Sequence, residues 1–146
     1  MISRDELLLK YHIDENEFDE SGIGWDQIEE IHNDFSSKRH SLNNVAQMVA
    51  NELQEVNGVH SVRWRIKDPE HLAAKVIRKI IDAKKNGIER KINIANYENE
   101  ITDLIGVRAL HLYKDGWELI HKFIKENWEL NEEPCANIRK GDPQKF

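Results

Sequence analysis

Residues 62–79 read VRWRIKDPEHLAAKVIRK, and two patterns within them decide the fold. In the first six residues apolar and basic side chains alternate, and a period of two places the two sets on opposite faces of a strand, which we predict over residues 59–67. Asp68 and Pro69 are typical of a helix start, because Asp caps the first turn and Pro fits its first position. The stretch therefore predicts a strand followed by a helix that ends near residue 85.

The flanking sequence adds helices on both sides of this unit and further strands. Upstream, hydrophobic spacing and turn residues predict a short helix, an acidic surface loop and a long helix, over residues 5–12, 14–24 and 25–56. Downstream they predict a central strand, an amphipathic helix and a final strand, over residues 101–113, 114–128 and 130–138. The side chains expected on the buried side of that helix are Trp117, Ile120, Phe123, Ile124 and Trp128. The order predicts an α+β fold, with a small mixed sheet flanked by helices and a long N-terminal helix.

Composition limits the class of protein. The chain has 146 residues, of which 39% are hydrophobic, and one cysteine. A chain of that length buries about two thirds of its unfolded surface, so we expect one domain with its own core. No apolar run approaches the roughly 20 residues of a membrane span, and the N-terminal sequence lacks the features of a signal peptide. Because a lone Cys135 fits a reducing compartment, we predict a cytoplasmic protein with no membrane partner and no zinc site.

Charge is unevenly distributed along the chain. Residues 63–91 carry ten Lys or Arg and four Asp or Glu, a net charge of +6, whereas the whole chain has a net charge of −6. A basic segment in an acidic chain predicts a local site for small anions such as nucleotides. Bulk binding to nucleic acid is not expected, because such proteins are more often basic throughout.

The helix that begins at Pro69 has one cationic face. At about 100° per residue, Lys75 and Arg78 fall within about 40° of His71, and apolar residues occupy the opposite side. The preceding strand points its three basic side chains in a single direction, and the helix N-terminus offers unpaired backbone N–H donors. These groups would converge on a polyphosphate. The alternative is a solvated basic face, which is common on amphipathic helices.

Asp103 borders the most apolar run of the chain and is followed by Gly106 and Arg108. An ionised carboxylate in such a place is costly unless it is paired or binds a metal. Carboxylates at strand ends hold Mg²⁺ in nucleotidyl-transfer sites, where the ion neutralises phosphate charge. The alternative is an aspartate that caps the strand and pairs with Arg108. Strict alternation would point Asp103 and Arg108 to opposite faces unless Gly106 marks a bulge.

With residues 101–124, ITDLIGVRALHLYKDGWELIHKFI, the opening stretch resembles the RelA/SpoT-type (p)ppGpp synthetases. These enzymes transfer pyrophosphate from ATP to the 3′-hydroxyl of GDP or GTP. Their hallmarks are an Arg-x-Lys on a strand, a Lys and an Arg on the next helix, and a later Asp-x-x-Gly-x-Arg. The matching residues here are Arg65, Lys67, Lys75, Arg78, Asp103, Gly106 and Arg108. The resemblance covers residues 60–128 and points to the small, synthetase-only members.

The resemblance implies a nucleotidyltransferase-like fold and an enzyme, a GTP pyrophosphokinase of the stringent response. It implies ATP and GDP or GTP as partners and Mg²⁺ as cofactor, and it leaves homo-oligomer formation open. Residues 1–58 would form a helical region that packs on the domain, and residues 59–146 the N-terminal portion of a synthetase domain.

The resemblance also implies a role for each matching residue. The residues implied to bind ATP are Arg65, Lys67, Lys75 and Arg78. Arg108 and His71 would support the phosphates. Asp103 would be the catalytic residue and the ligand of Mg²⁺.

The chain departs from the family pattern at three points. His71 stands where the family usually has serine. The Gly-Tyr-Arg-Ser-Leu-His element, whose tyrosine stacks on the guanine acceptor, does not occur in this sequence. Nor does the Glu-x-Gln-Ile-Arg-Thr element, whose glutamate completes the metal site. We therefore expect an incomplete synthetase that is inactive as it stands. The alternatives are a non-catalytic nucleotide-sensing or interaction module of the same fold, and a relative that uses an adenosine nucleotide or a tRNA acceptor.

Overall fold

The computed structural model describes residues 1–137 and contains six helices and two strands in that part of the chain. In chain order these are α1 (Arg4–Lys10), α2 (Glu15–Ser21), α3 (Trp25–Gln54), β1 (Val59–Ile66), α4 (Pro69–Lys85), α5 (Tyr97–Glu100), β2 (Ile105–His111) and α6 (Gly116–Asn127). The predicted α+β class and the long N-terminal helix are confirmed. Among the helices of residues 1–137, none is both long enough and apolar enough to span a membrane.

The strand–helix unit forms as its sequence predicts, with β1 and α4 ending within one residue of the expected positions. The side chain of Asp68 caps α4 by accepting hydrogen bonds from the backbone N–H groups of Glu70 and His71. Gly87 follows the C-terminal end of α4 with a φ of 70°, a left-handed conformation that glycine adopts without steric cost. Local signals therefore suffice for this part of the fold.

Within residues 1–137 the sheet is a single antiparallel pair, β1 with β2. Arg63 lies directly opposite Arg108, and Arg65 lies opposite Gly106. Because residues at alternate positions share a face, all three arginines lie on one face of the sheet. The register shifts between residues 59 and 61, so Gly106 does not mark a bulge.

Helix α3 covers the other face of the sheet. On that side Trp64 donates a hydrogen bond from Nε1 to Oδ1 of Asn43 at 3.1 Å. Ile66 packs at the border of the hydrophobic core. The sheet is therefore covered on the apolar face and open on the arginine-bearing face, as the alternation in residues 62–67 predicts.

One hydrophobic core joins α1, α2, α3 and α4 with the segment around α5. Its fully buried residues include Leu7, Ile28, Phe35, Leu72, Ile77, Ile92 and Tyr97. The hydroxyl of Tyr97 donates to a carboxylate oxygen of Asp34 at 2.6 Å, which satisfies the polar end of this buried ring. The helices of residues 1–58 thus share their core with α4. The domain boundary after residue 58 stays a prediction.

The prediction of a surface loop over the acidic stretch, residues 14–24, is wrong, because most of that stretch folds into α2. Asp14 caps this helix by accepting a hydrogen bond from the N–H of Glu17, and Gly22 ends it with a φ of 75°. Acidic residues in the first turn also favour the positive end of the helix dipole. Phe18 is buried, so α2 contributes to the core.

The predicted sheet is too large. The central strand predicted over 101–113 is β2 alone, because residues 102–104 form a turn before it. The sheet of residues 1–137 is antiparallel rather than mixed. No strand forms in residues 130–137, and Ile138, the end of the predicted final strand, lies outside the described residues. The short helix α5 is absent from the sequence prediction.

The predicted burial of one side of α6 is wrong. Trp117, Ile120, Phe123, Ile124 and Trp128 lie only partly covered, and no residue of α6 is buried. The helix packs mainly against β2. The ring of Phe123 also packs against the ring of Trp128, which directly follows the helix, with centroids 5.6 Å apart. The hydrophobic period is that of a helix, but burial depends on which elements lie opposite the helix.

Candidate anion-binding site

A cavity of about 340 Å³ lies between α1, the end of β1 and α4. Its lining residues are Tyr11, Lys67, His71, Ala74, Lys75 and Arg78. We call it the lysine pocket. It contains four of the residues that the sequence predicts to contact nucleotide, because the basic face of α4 and the end of β1 converge here.

Asp103 joins the two lysines of this pocket. The ammonium of Lys67 donates a hydrogen bond to Oδ2 of Asp103 at 2.9 Å. The ammonium of Lys75 lies 2.9 Å from Oδ1, an ion pair outside hydrogen-bond geometry that leaves this buried oxygen without a donor among the described residues. Asp103 thus neutralises part of the charge of the lysine pocket.

The ionisation of Asp103 reflects these contacts. Partial burial by itself would raise the pKa of the Asp103 carboxyl, but the ammonium groups of Lys75 and Lys67 outweigh it and lower the pKa to about 2. The carboxylate therefore stays charged at neutral pH. The sequence-based alternative of a pair with Arg108 is wrong, since the partners of Asp103 are lysines.

His71 and Arg78 line the pocket on the side of α1. The ring of His71 meets the ring of Tyr11 edge-on, with centroids 5.1 Å apart. The guanidinium of Arg78 donates to the backbone carbonyl of Tyr11. Tyr11 is a pocket residue that the sequence analysis missed, because only the packing of α1 on α4 brings it there.

The N-terminus of α4 is not an open anion site. Asp68 already accepts hydrogen bonds from the N–H groups of Glu70 and His71, each at 3.0 Å. Its carboxylate also offsets the positive end of the helix dipole. The expectation of unpaired N–H donors at this position is therefore wrong for these two groups.

Arg63, Arg65 and Arg108 form a second cationic surface, which we call the arginine face. They are exposed on the open face of the sheet and line a cavity of about 400 Å³. Within residues 1–137, no carboxylate lies within ion-pair distance of any of the three guanidinium groups. This surface differs from the lysine pocket in having no counter-charge among the residues that the structure describes.

Gly106 leaves room for the side chain of Arg65. A Cβ atom at Gly106 would lie 3.3 Å from Nε and 3.4 Å from Cγ of Arg65. The Arg65 side chain therefore extends across the neighbouring strand at its cross-strand partner. The close approach of the Arg65 side chain is therefore a steric reason for glycine at this position of the motif.

The structure thus divides the predicted site residues between two surfaces. Lys67, His71, Lys75, Arg78 and Asp103 lie at the lysine pocket, and Arg65 and Arg108 lie on the arginine face. Arg63 belongs to the arginine face but is not one of the predicted site residues. The alternation in β1 was a signal for it, since that pattern already places Arg63 beside Arg65.

The residues at the lysine pocket do not fit a resident Mg²⁺ on their own. Asp103 is the carboxylate that contacts the pocket lysines, and an ammonium lies 2.9 Å from each of its oxygens. A divalent cation at Asp103 would therefore lie beside two positive charges. In the described part of the chain, no three His, Cys, Asp or Glu residues are grouped as a metal site would require. The predicted metal role of Asp103 stays a prediction.

Comparisons of the chain with protein-family models, with curated proteins and with solved structures found no match.

Proposed function

We propose that this chain is the ATP-binding part of a pyrophosphokinase that transfers pyrophosphate from ATP to the 3′-hydroxyl of GDP or GTP. The observation that carries the proposal is the convergence of Lys67, Lys75 and Asp103. These residues come from three separate elements of the ordered motif, and both ammonium groups lie 2.9 Å from the same carboxylate. If the sequence matched the family motifs by chance, these three side chains would have no reason to lie in contact with each other.

The lysine pocket has the chemistry to bind a polyphosphate. An ammonium is a point charge that pairs with phosphate oxygens from several directions, and Lys67 and Lys75 supply two of them. Arg78 and His71 add donors at the same cavity. An incoming phosphate competes with Asp103 for Lys67 and Lys75. Binding therefore replaces the ion pairs between these lysines and Asp103 by ion pairs between the lysines and the phosphate.

A second function, a nucleotide-sensing module without catalysis, is favoured by one specific feature. The only carboxylate among the predicted site residues is held by two lysines. Such an arrangement stabilises the pocket and binds anions without activating a hydroxyl group. The candidate acceptors are a guanosine nucleotide, an adenosine nucleotide and a tRNA end.

Titration with a non-hydrolysable ATP analogue tests the proposal. We expect Lys75→Gln to weaken binding about tenfold, because one charge-assisted hydrogen bond contributes about 1.5 to 3 kcal/mol. Lys114→Gln, which removes the same charge from an exposed position before α6, serves as the control and should bind as the wild type does. Equal affinity in Lys75→Gln and the wild type would overturn the proposal.

An activity assay tests the expectation that the chain is inactive as it stands. The chain is mixed with ATP, Mg²⁺ and one acceptor at a time, which is GDP, GTP, an adenosine nucleotide or a tRNA, and transfer of the terminal pyrophosphate is followed. Analogue binding together with transfer supports the enzyme. Analogue binding without transfer to any acceptor is the result expected of this chain, both as the ATP-binding part of a synthetase and as a sensing module.

A further inference from the structure

Two adjoining cavities lie where the C-terminal ends of α2 and α4 meet the segment between α4 and α5. They measure about 430 Å³ and 380 Å³, and their shared lining residues are Ser21, Ile80, Glu89 and Arg90. We call them together the Arg90 cavity. It has no lining residue in common with the arginine face or with the lysine pocket, which lies along residues 71–78 of α4. The Arg90 cavity is therefore a separate site.

The end of α4 leaves an apolar side chain open at this cavity. The N–H of Gly87 donates to the carbonyl of Lys84, and the N–H of Ile88 donates to the carbonyl of Ala83. In this helix-ending motif the residue after the glycine commonly packs back on the helix. Here Ile88 is 61% exposed and lines the cavity beside the buried Ile80. The cavity therefore has an apolar part that residues 1–137 leave uncovered.

Arg90 is held at the cavity wall by a chain of charged groups. Its Nε lies 3.2 Å from Oε2 of Glu100. The ammonium of Lys79 lies 3.8 Å from the same oxygen and donates to the backbone carbonyl of Glu100. The pair of Arg90 with Glu100 is outside hydrogen-bond geometry, so the N–H donors of this guanidinium have no acceptor among the described residues. The guanidinium is therefore anchored while its planar set of donors stays open to a ligand.

Lys84 supplies a second positive charge to the cavity. Its ammonium donates to the backbone carbonyl of Glu20, which joins α4 to the end of α2. Within residues 1–137 no carboxylate lies within ion-pair distance of this ammonium. Glu89 also lines the cavity, but it pairs with Lys91 at 3.0 Å. Lys84 and Arg90 thus leave room for one added negative charge.

These groups fit a ligand with one carboxylate and an aliphatic body. A guanidinium binds a carboxylate through two parallel hydrogen bonds. Ile80 and Ile88 offer apolar surface beside the two cations. A polyphosphate is disfavoured, because Glu89 lines the same cavity and the C-terminal ends of α2 and α4 carry partial negative charge. The volume lies in the range of roughly 300 to 1,000 Å³ that is typical of small-molecule sites.

We propose that the Arg90 cavity binds a small aliphatic monocarboxylate. Its carboxylate pairs with Arg90 and Lys84, and its hydrocarbon part lies on Ile80 and Ile88. Because the cavity shares no lining residue with the lysine pocket or the arginine face, this site does not depend on the pyrophosphokinase proposal.

Titration of the ¹⁵N-labelled chain with sodium 4-methylpentanoate, followed by the backbone N–H signals in NMR spectra, tests the site. We expect saturable shifts at Gly87, Ile88 and Arg90. Two matched probes separate charge from hydrocarbon: 4-methylpentanamide keeps the hydrocarbon without the charge, and acetate keeps the charge without the hydrocarbon. Each should bind at least about fivefold more weakly than 4-methylpentanoate. No saturable shift at these residues, or equal affinity for the acid and the amide, overturns the site.

Arg90→Gln distinguishes a binding role of Arg90 from a structural one. We expect this variant to bind 4-methylpentanoate about tenfold more weakly, because it removes a charge-assisted contact. Its affinity for 4-methylpentanamide should stay unchanged, so that the preference for the acid is lost. A merely structural role would weaken the binding of both probes alike. Arg39→Gln, which removes the same charge from an exposed position on α3, is the control. An Arg90→Gln variant that keeps the preference for the acid overturns the proposal.

Ile88→Ser tests the apolar part of the site at an exposed position, where the fold does not depend on the side chain. We expect the affinity for 4-methylpentanoate and for its amide to fall about threefold, from the loss of apolar contact. Ile94→Ser is the matched control, because Ile94 is 48% exposed on the same segment and does not line the cavity. Lys75→Gln should bind 4-methylpentanoate as the wild type does. Equal losses in Ile88→Ser and Ile94→Ser, or loss of binding in Lys75→Gln, would place the ligand elsewhere and overturn the proposal.

Discussion

The lysine pocket and the arginine face are two cationic surfaces joined by β1. They differ in whether a carboxylate of the described chain neutralises part of their charge. In the lysine pocket Asp103 contacts both ammonium groups at 2.9 Å, so that part of the charge is balanced within the fold. On the arginine face the described chain supplies no carboxylate, and two guanidinium groups oppose each other across the sheet. The comparison shows that a basic sequence segment can build both a self-paired cluster and a cationic surface that has no carboxylate partner among residues 1–137.

The largest effect is expected from charge reversal on the arginine face. Arg108→Glu places a carboxylate directly opposite Arg63, where it pairs with the guanidinium instead of repelling it. Arg65 and Arg108 are predicted to contact the ATP phosphates, for which pyrophosphate is a minimal probe. We expect pyrophosphate binding to fall by about a hundredfold, from the loss of one contact and the occupation of another. The Tm should rise by about 2–4 °C.

Arg39→Glu is the matched control for that variant, since it reverses an exposed charge on α3. Both quantities are measured by titration and thermal unfolding of the same preparation. If Arg108→Glu retains the pyrophosphate affinity of the wild type, the two surfaces do not differ in the way described.

The lysine pocket should respond in the opposite sense when its counter-charge is removed. Asp103→Asn keeps the shape of the side chain but releases Lys67 and Lys75 from their shared carboxylate. We expect the free energy of unfolding to fall by about 1 kcal/mol, a value that allows for solvent screening of a side chain that is 41% exposed. In buffer without divalent metal, the affinity for the ATP analogue should rise severalfold, because phosphate no longer competes with Asp103.

Chemical denaturation and analogue titration check this result, with Asp82→Asn, an exposed position on α4, as the control. A variant that keeps full stability and loses analogue binding would show that Asp103 contributes to the ligand site rather than neutralising the lysines.

Of the two cationic surfaces, only the lysine pocket should be weakened by acid. The pKa of Asp103 is lowered from 3.8 to about 2, so its ion pairs stabilise the fold above pH 4 and this contribution is lost as the pH falls towards 2. We expect the stability difference between the wild type and Asp103→Asn to shrink over that interval. The difference between the wild type and Arg63→Gln, which arises from the repulsion between Arg63 and Arg108, should persist there, because guanidinium groups do not titrate in this range. Denaturation at pH 5 and near pH 2 measures both differences.

The smallest effect is expected at Gly106. Ala at this position would press on Nε and Cγ of Arg65, 3.3 and 3.4 Å from the new Cβ, and the flexible side chain can move aside. We expect pyrophosphate affinity to fall by about twofold to threefold, less than one full charge-assisted contact. The affinity for the ATP analogue at the lysine pocket should stay unchanged. An unchanged pyrophosphate affinity would show that the path of Arg65 across β2 is not needed for binding.

The same contrast explains how much the sequence could predict. The arginine face follows from period-two alternation in β1, and α4 follows from Asp68, Pro69 and a 3.6-residue period, all of which are local signals. The lysine pocket could be predicted from the sequence only in part. Its basic face on α4 was predictable, but the pairing of Asp103 with lysines depends on where the turn before β2 meets β1 and α4.

The errors have the same physical origin. Tyr11 reaches the lysine pocket because α1 packs on α4, a long-range contact with no local signal. The exposure of the apolar face of α6 depends on what packs against it rather than on its own period. By contrast, α2 could have been found, because Asp14 three residues before Glu17 is a helix-capping pattern that the acidic composition obscured.

The most direct test of the difference between the two surfaces is heteronuclear NMR of the arginine side-chain N–H groups during titration with pyrophosphate at constant ionic strength. Single Arg→Gln variants assign the signals. We expect those of Arg63, Arg65 and Arg108 to shift together along one saturable curve, before that of Arg78 at the lysine pocket and without movement of Arg39. A saturable shift that begins at Arg78 while Arg63 and Arg108 stay unchanged would contradict the account.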